Sequence, residues 1–493
     1  MMRAILFAFL LLCSNTLKAQ GINNLWIGGY YSYIGKPHGI NLIDFSSGIP
    51  SCAYDSLPMN FNHTNASICD NSGNMLFYTN GLYIADASND TMVNGDNINP
   101  GAYHTFAIGA GGFLIPQAAL ATQKPGSDSL YYLFHSTVDN PPDFTESHFL
   151  YYSVIDISTN NGLGEVISKN NIAITDIMNG GKIAATKHGN GRDWWIIVHK
   201  AYTNTFIKIL VTPYGIDGPF YQSIGSIRDW DAGQAKFSPD GTRYAYYHYR
   251  NNTDLDVFDF DRCSGLLSNW RNDTVPFIVG NVGVEFSPNS QFVYVCNITD
   301  IFQYDCNITN LQSSKITVAS YDGFWDTVPG LGTYLCYPQL APDGKIYITT
   351  GNGTRYYHII DQPDSPGPAC NVIQHGLMVP SFYFNTIPNH PNFFLVANGL
   401  CNNLSFEGLE SGKVKKVTVF GNPTHDKFTL WFPVDKDVGW LEIYDVNGEC
   451  IRTERVAQWS QYKTVDISEL SAGVYFCKMR WPSGEGSVRV VKL

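Results

Sequence analysis

The feature that most constrains this chain is a turn that recurs at nearly constant spacing, each time just before an apolar run. Ser238-Pro239-Asp240-Gly241 precedes Arg243-Tyr244-Ala245-Tyr246-Tyr247, and Ser287-Pro288-Asn289-Ser290 precedes Phe292-Val293-Tyr294-Val295. Ala341-Pro342-Asp343-Gly344 precedes Lys345-Ile346-Tyr347-Ile348-Thr349, and the prolines stand 49 and 54 residues apart. Proline presets φ for a type I turn, Asp accepts a hydrogen bond from the turn backbone, and Gly takes the left-handed position. Weaker copies lie upstream, where Asn71-Ser72-Gly73, Ser127-Asp128-Ser129 and Asn190-Gly191 each lead into an aromatic or aliphatic run. Leu25-Trp26-Ile27-Gly28-Gly29-Tyr30 begins one further unit. A period of about 50 residues marks a repeat architecture, and four short strands per period is the arithmetic of a propeller blade. The pattern predicts an all-β, seven-bladed β-propeller. Its post-turn runs are expected to form inner strands, apolar on both faces because each is sandwiched between neighbouring blades.

Composition agrees with that class and removes several functions. Aromatic residues make up 14% of the 493, charged residues only 15%, and 45 Gly and 25 Pro supply turns. The net charge is −12, yet residues 413–493 carry 12 Lys/Arg against 10 Asp/Glu, so the acidity sits in the body. An acidic body argues against nucleic acid as a partner, since phosphates are held by basic surfaces. CxxC, HExxH and GxSxG are all missing. No metal, cofactor or elbow-type nucleophile is therefore expected. Eleven Cys are present; ten remain if Cys13 leaves with a leader. Disulfides are then permitted in an exported chain, with no pairing fixed by the sequence.

The two ends read as export signals. Arg3, an apolar run from Ala4 to Leu12, and a polar stretch ending at Ala19-Gln20 have the order of a secretory signal peptide. No later segment is long and uncharged enough to span a bilayer as a helix. Beyond a linker at 403–415, residues 416–493 alternate polar and apolar positions in short runs separated by turns, which predicts a small C-terminal antiparallel β-sandwich. Four motifs punctuate it: Asn422-Pro423-Thr424, Ile443-Tyr444-Asp445-Val446-Asn447-Gly448, Leu470-Ser471-Ala472-Gly473-Val474-Tyr475 and the terminal Val491-Lys492. In order and spacing they resemble the type A sorting domain of Bacteroidetes-type exported proteins. Cys450 and Cys477 depart from the usual pattern of such domains. The resemblance implies the type IX secretion machinery as a partner, removal of the domain, and release or attachment at the cell surface. The repeat units of the body, 21–402, resemble TolB-like and WD-type propeller repeats. That likeness speaks to fold and leaves function open.

Several groups are candidates for function. Phe324 and Trp325, in Tyr321-Asp322-Gly323-Phe324-Trp325-Asp326, are expected on a connecting loop as a binding surface for a protein or glycan. Asn140-Pro141-Pro142-Asp143-Phe144 is a second long loop. Asp229 and Asp231 flank Trp230; two residues apart on a strand they would share one face, as a glycosidase's carboxylate pair requires, but a solvated blade loop is the preferred reading. His188 and His199 are expected to be ordinary packing residues. Five Asp-Ser/Thr-apolar triplets, among them Asp128-Ser129-Leu130, look like the O-glycosylation signal of the same bacteria. Binding is the leading expectation and carbohydrate cleavage, by a glycoside hydrolase or lyase, the second.

Overall fold

The structure, a computed structural model, describes residues 21–138, 144–248, 250, 254–276, 280–398, 401 and 415–493. The leader at 1–20, most of the linker and the core of the Asn140 loop lie outside these residues. Among the described residues, strands of the body fall into seven successive antiparallel groups, over 25–55, 66–86, 119–179, 184–228, 235–274, 283–320 and 338–383, with a short two-stranded pair, Trp325–Asp326 with Leu331–Gly332, between the last two. The third and fourth groups touch through one extra pairing, Met178 with Lys200. Within each group the strands pair in chain order, each antiparallel to the last.

Alternation explains why these runs are apolar on both faces. In the strand Arg243–His248, Tyr244 and Tyr246 pack toward Trp195, Phe206 and Phe258, whereas Ala245 and Tyr247 pack toward Val284, Val293 and Val295. Successive side chains point to opposite faces of a strand, so a strand between two sheets needs apolar groups at every position. The same division places Trp194 and Ile196 in one seam and Trp195 and Ile197 in the next. The seams follow one another around a ring. The sixth and seventh groups meet at Tyr294 and Ile346, and the seventh meets the first at Trp26, Phe45, Tyr347 and Tyr383. Asn41 fastens that last seam, donating to Ser381 O and accepting from Ser381 N. A ring of sheets whose last member packs on its first is a propeller.

One expectation about the blades is corrected. The post-turn runs are second in their groups, and the strand before each turn is innermost: Ala235–Phe237, Gly283–Phe286 and Pro338–Leu340. These inner strands are three or four residues long and carry Lys236, Glu285 and Gln339, so they show no extended apolar run.

The turns form as their residues dictate. Asp240 Oδ1 accepts from Ser238 Oγ at 2.6 Å and from Thr242 N at 2.9 Å, and Gly241, at φ +72°, donates to Ser238 O. Asn289 and Asp343 repeat the arrangement, accepting from Gln291 N and Lys345 N, with Gly344 at φ +80°. Pro239 and Pro342 sit at the corners between these contacts.

The C-terminal strands, from Thr418–Phe420 to Gly484–Lys492, form a three-stranded and a four-stranded antiparallel sheet. Phe428, Leu430, Leu441, Ile443, Cys477, Met479 and Trp481 fill the space between them, giving a β-sandwich. No helix among the described residues is long and apolar enough to cross a membrane.

Candidate functional site

The ring's centre is occupied by the chain itself. Residues 385–398 run along the channel from one end to the other. Near the start, Asn385 Oδ1 accepts from Thr349 Oγ1, and Thr386 Oγ1 accepts from Asn65 Nδ2 at 3.1 Å. In mid-channel, Asn389 donates through Nδ2 to Ala119 O and Ile183 O, at 3.1 and 2.9 Å, and accepts from Gln117 Nε2 at 3.1 Å. His390 Nε2 lies 3.0 Å from Ser67 O. At the turn end, Asn392 Nδ2 donates to Pro239 O, Arg262 donates to Val396 O, and Asn398 N donates to Gly189 O. A disulfide from Cys401 to Cys263 then fixes the strap to the fifth group. One asparagine thus satisfies backbone groups of two neighbouring strand groups, whose only strand pairing among the described residues is Met178 with Lys200.

At the turn end the channel holds a cavity of about 230 Å³. Lys236, Glu285 and Gln339 occupy the same repeat position, three residues before Pro239, Pro288 and Pro342, and all three line it. Lys236 Nζ is 2.5 Å from Gln339 Oε1 and 3.5 Å from Glu285 Oε2. Glu285 also accepts from Leu340 N at 3.0 Å. Burial pulls the Lys236 ammonium below its ordinary pKa, and Glu285 opposes that shift. A buried charge is retained when it is paired and hydrogen-bonded, as here.

The loop carrying Phe324 and Trp325 connects the sixth group to the seventh, away from the repeat turns. The structure separates the two aromatics. Phe324 is half-buried, stacked on His375 at 4.1 Å between ring centres and edge-on to Tyr356 at 5.3 Å. Trp325 is 54% exposed, although its backbone is paired with Gly332. Asp326, buried beside it, forms an ion pair with Arg355, and Tyr321 donates to Phe324 O at 2.6 Å. The loop is therefore braced while one large aromatic faces solvent. Val328, in the same loop, and Met378, in register with Tyr356, are also about half exposed.

The carboxylate pair is split. Residues 229–232 are not a strand, so the shared-face argument fails. Asp231 is fully buried, accepting from Lys182 Nζ at 2.6 Å and Tyr246 OH at 3.1 Å, whereas Asp229 is half-buried. His199 packs against Phe206 and Tyr246, and His188 lies 3.0 Å from Cys263 O. No group of three or more His, Cys, Asp or Glu among the described residues is placed to hold a metal ion. Sequence reasoning missed the strap and the polar inner-strand position. The recurring polar residue three before each turn proline was the available signal.

In the C-terminal sandwich the motif residues tie the chain end to the domain's first turn. Asn422 Oδ1 accepts from Val491 N at 2.7 Å and its Nδ2 donates to Arg489 O. Beyond Pro423, Thr424 N donates to Val491 O, and Lys492 Nζ donates to His425 O. Asp445 accepts from Asn447 N and Glu449 N, with Gly448 at φ +81° closing the turn. Gly473 opens the strand in which Tyr475 donates back to Ser471 O at 2.8 Å. Cys477 is buried in the core and Cys450 is exposed.

Among solved structures, this chain is similar to a quinonprotein alcohol dehydrogenase-like protein from Bacteroides thetaiotaomicron, at 12% identity and TM-score 0.37, covering 74% of this chain and 79% of that one. It is similar to the Dos1 propeller at 13% identity and TM-score 0.37, with 71% and 76% covered. An oligogalacturonate lyase in complex with manganese matches at 13% identity and TM-score 0.33, with 68% and 84% covered. Likeness at this level says nothing about ligand or reaction, and the propeller assignment rests on the strand pairing and seams above. A comparison with curated proteins finds no match. Residues 418–492, the sandwich just described, match the family model of the secretion system C-terminal sorting domain, so this chain carries a type IX sorting domain that directs it to the cell surface or the extracellular space.

Proposed function

We propose that the exported body is a binding module that engages a protein or glycan partner through the Trp325 loop. The carrying observation is an exposed indole on a loop whose neighbours are fixed by stacking, an ion pair and backbone pairing. A rigid aromatic anchor loses little conformational entropy on binding, which is why such residues dominate interface energetics. Connecting loops tolerate variation and carry function, so this loop is the place for a contact with a large partner. The leader at 1–20 and the boundary near 403–415 belong to the same reading, in which the strap completes the body before the sorting domain begins.

A glycan and protein array probed with the exported chain tests the proposal. Retention of at least one ligand without its breakdown is the expected result. Turnover of a polysaccharide by the purified protein would replace binding with hydrolysis or lysis.

The export half has its own test. Removing residues 413–493 is expected to leave folded body in the periplasm of a type IX host, because the whole sorting sandwich is then missing. Surface or medium fractions containing the truncated chain would contradict it.

A further inference from the structure

We propose that the cavity at the turn end of the channel binds one neutral sugar ring, independently of the Trp325 loop. Its polar floor comes from Lys236, Glu285 and Gln339, each less than a tenth exposed and each from a different blade. Phe237 and Phe394 contribute aromatic walls, and Phe394 is 38% exposed at the rim. Pro239 and Pro342, from the repeat turns, also line it.

The chemistry of this lining narrows the ligand. Lys236 donates only, ionised Glu285 accepts only, and Gln339 does both. One positive and one negative group 3.5 Å apart cancel at a distance, so the site has no preference for a charged ligand. A hydroxyl can donate to Glu285 and accept from Lys236 at once. A ring carrying adjacent hydroxyls on its edge and C–H groups on its face therefore matches the mixed polar floor and the aromatic walls. Glu285 already accepts from Phe286 N and Leu340 N and Lys236 donates to Gln339, so an apolar ligand would leave only their remaining acceptor and donor capacity unused, which a hydroxyl would fill. The cavity's volume suits one such ring and not an extended chain. The strap forms one wall through Asn389, His390 and Asn392, so the ligand would enter from the turn end.

The test uses the full exported chain and a panel of neutral hexoses and N-acetylhexosamines, with the corresponding uronic acids as charged comparators, read by ligand-observed NMR. At least one neutral sugar is expected to bind, with the matching uronic acid weaker. Glu285→Gln keeps the shape and removes the charged acceptor, and is expected to weaken binding about tenfold. Phe394→Ala, at the exposed rim, provides a second variant that leaves the buried ion pair intact, and it is also expected to weaken binding. Trp325→Ala is expected to leave sugar binding unchanged, so failure here and failure of the loop reading are separable. The proposal is overturned if no neutral sugar binds, if the uronic acids bind as well or better, or if neither Glu285→Gln nor Phe394→Ala weakens binding; the cavity then holds water only.

Discussion

Between about pH 6.5 and pH 4 the protein is expected to lose resistance to unfolding steeply, because it buries neutral histidines. Burial pushes His63 and His358 down to about 4, and His135 and His390 down to about 3. His135, His358 and His390 are buried and His63 is partly buried, each with fixed hydrogen-bond partners. His135 lies 2.7 Å from Asn99 Oδ1 and 2.9 Å from Ser153 Oγ, and His358 Nδ1 accepts from His375 N at 2.9 Å. These folded values lie below the ordinary histidine value near 6.5. As pH falls through 6.5 the unfolded chain takes up protons that the folded protein refuses. Stability is therefore fully present above about 6.5 and drains away as pH falls toward 4 to 3. One histidine contributes up to about 1.4 kcal/mol per pH unit, so four acting together approach ~5 kcal/mol per unit in mid-window. Burial also pushes His199 well below the ordinary value, so it adds to the slope; urea unfolding midpoints across this range measure it, and His135→Gln should lower it by roughly a fifth. Stability that stays flat from about pH 6.5 to about pH 4.5 would show that these histidines are not buried neutral.

Asn389→Ala is expected to be among the most damaging single substitutions in the body. It removes three side-chain hydrogen bonds, strands Ala119 O and Ile183 O inside the channel, and leaves Gln117 Nε2 with Ala235 O alone. Each buried group left without a partner costs about 1–3 kcal/mol, so a loss of roughly 3–6 kcal/mol is expected, with the contributions not strictly additive. Val396→Ala on the same strap is the control. Its side chain is 75% exposed, and a change within about 0.5 kcal/mol is expected. Equal effects of the two substitutions on the urea midpoint would mean that the strap does not hold the ring.

What was legible in the sequence was local. The hydrogen bonds that shape the turn at Ser238, Asp240 and Gly241 close within five residues, so composition and spacing alone report the turn. Tyr244 to Tyr247 reveal a two-faced strand because every position is apolar. The motif residues of the sorting domain could be read for a different reason. Asn422 and Val491 are 69 residues apart, yet their fixed order along the chain marks the domain. Long-range partners were not legible. Asn389 in Asn-His-Pro-Asn looks like any loop residue, and its partners lie 206 to 272 residues away. Cys401 finds Cys263 across 138 residues, which spacing could not select from ten cysteines. Asp229 and Asp231 do lie on a loop, but Asp231 is not solvated: its carboxylate is buried and held by Lys182, 49 residues away in sequence. Phe324 and Trp325, adjacent in sequence, differ because one meets His375 and Tyr356 and the other meets solvent.

That difference gives the most direct test of the binding claim. Phe324→Ala and Trp325→Ala are to be compared in the exported chain, for unfolding midpoint and for affinity toward whichever array ligand the wild type retains. Phe324→Ala should lower stability by removing the stack on His375, with any loss of binding following from a disturbed loop. Trp325→Ala should leave the midpoint nearly unchanged and weaken binding by about 2 kcal/mol or more, roughly 30-fold, as loss of a central aromatic anchor does. Full affinity in Trp325→Ala, with the wild-type midpoint, would contradict the account.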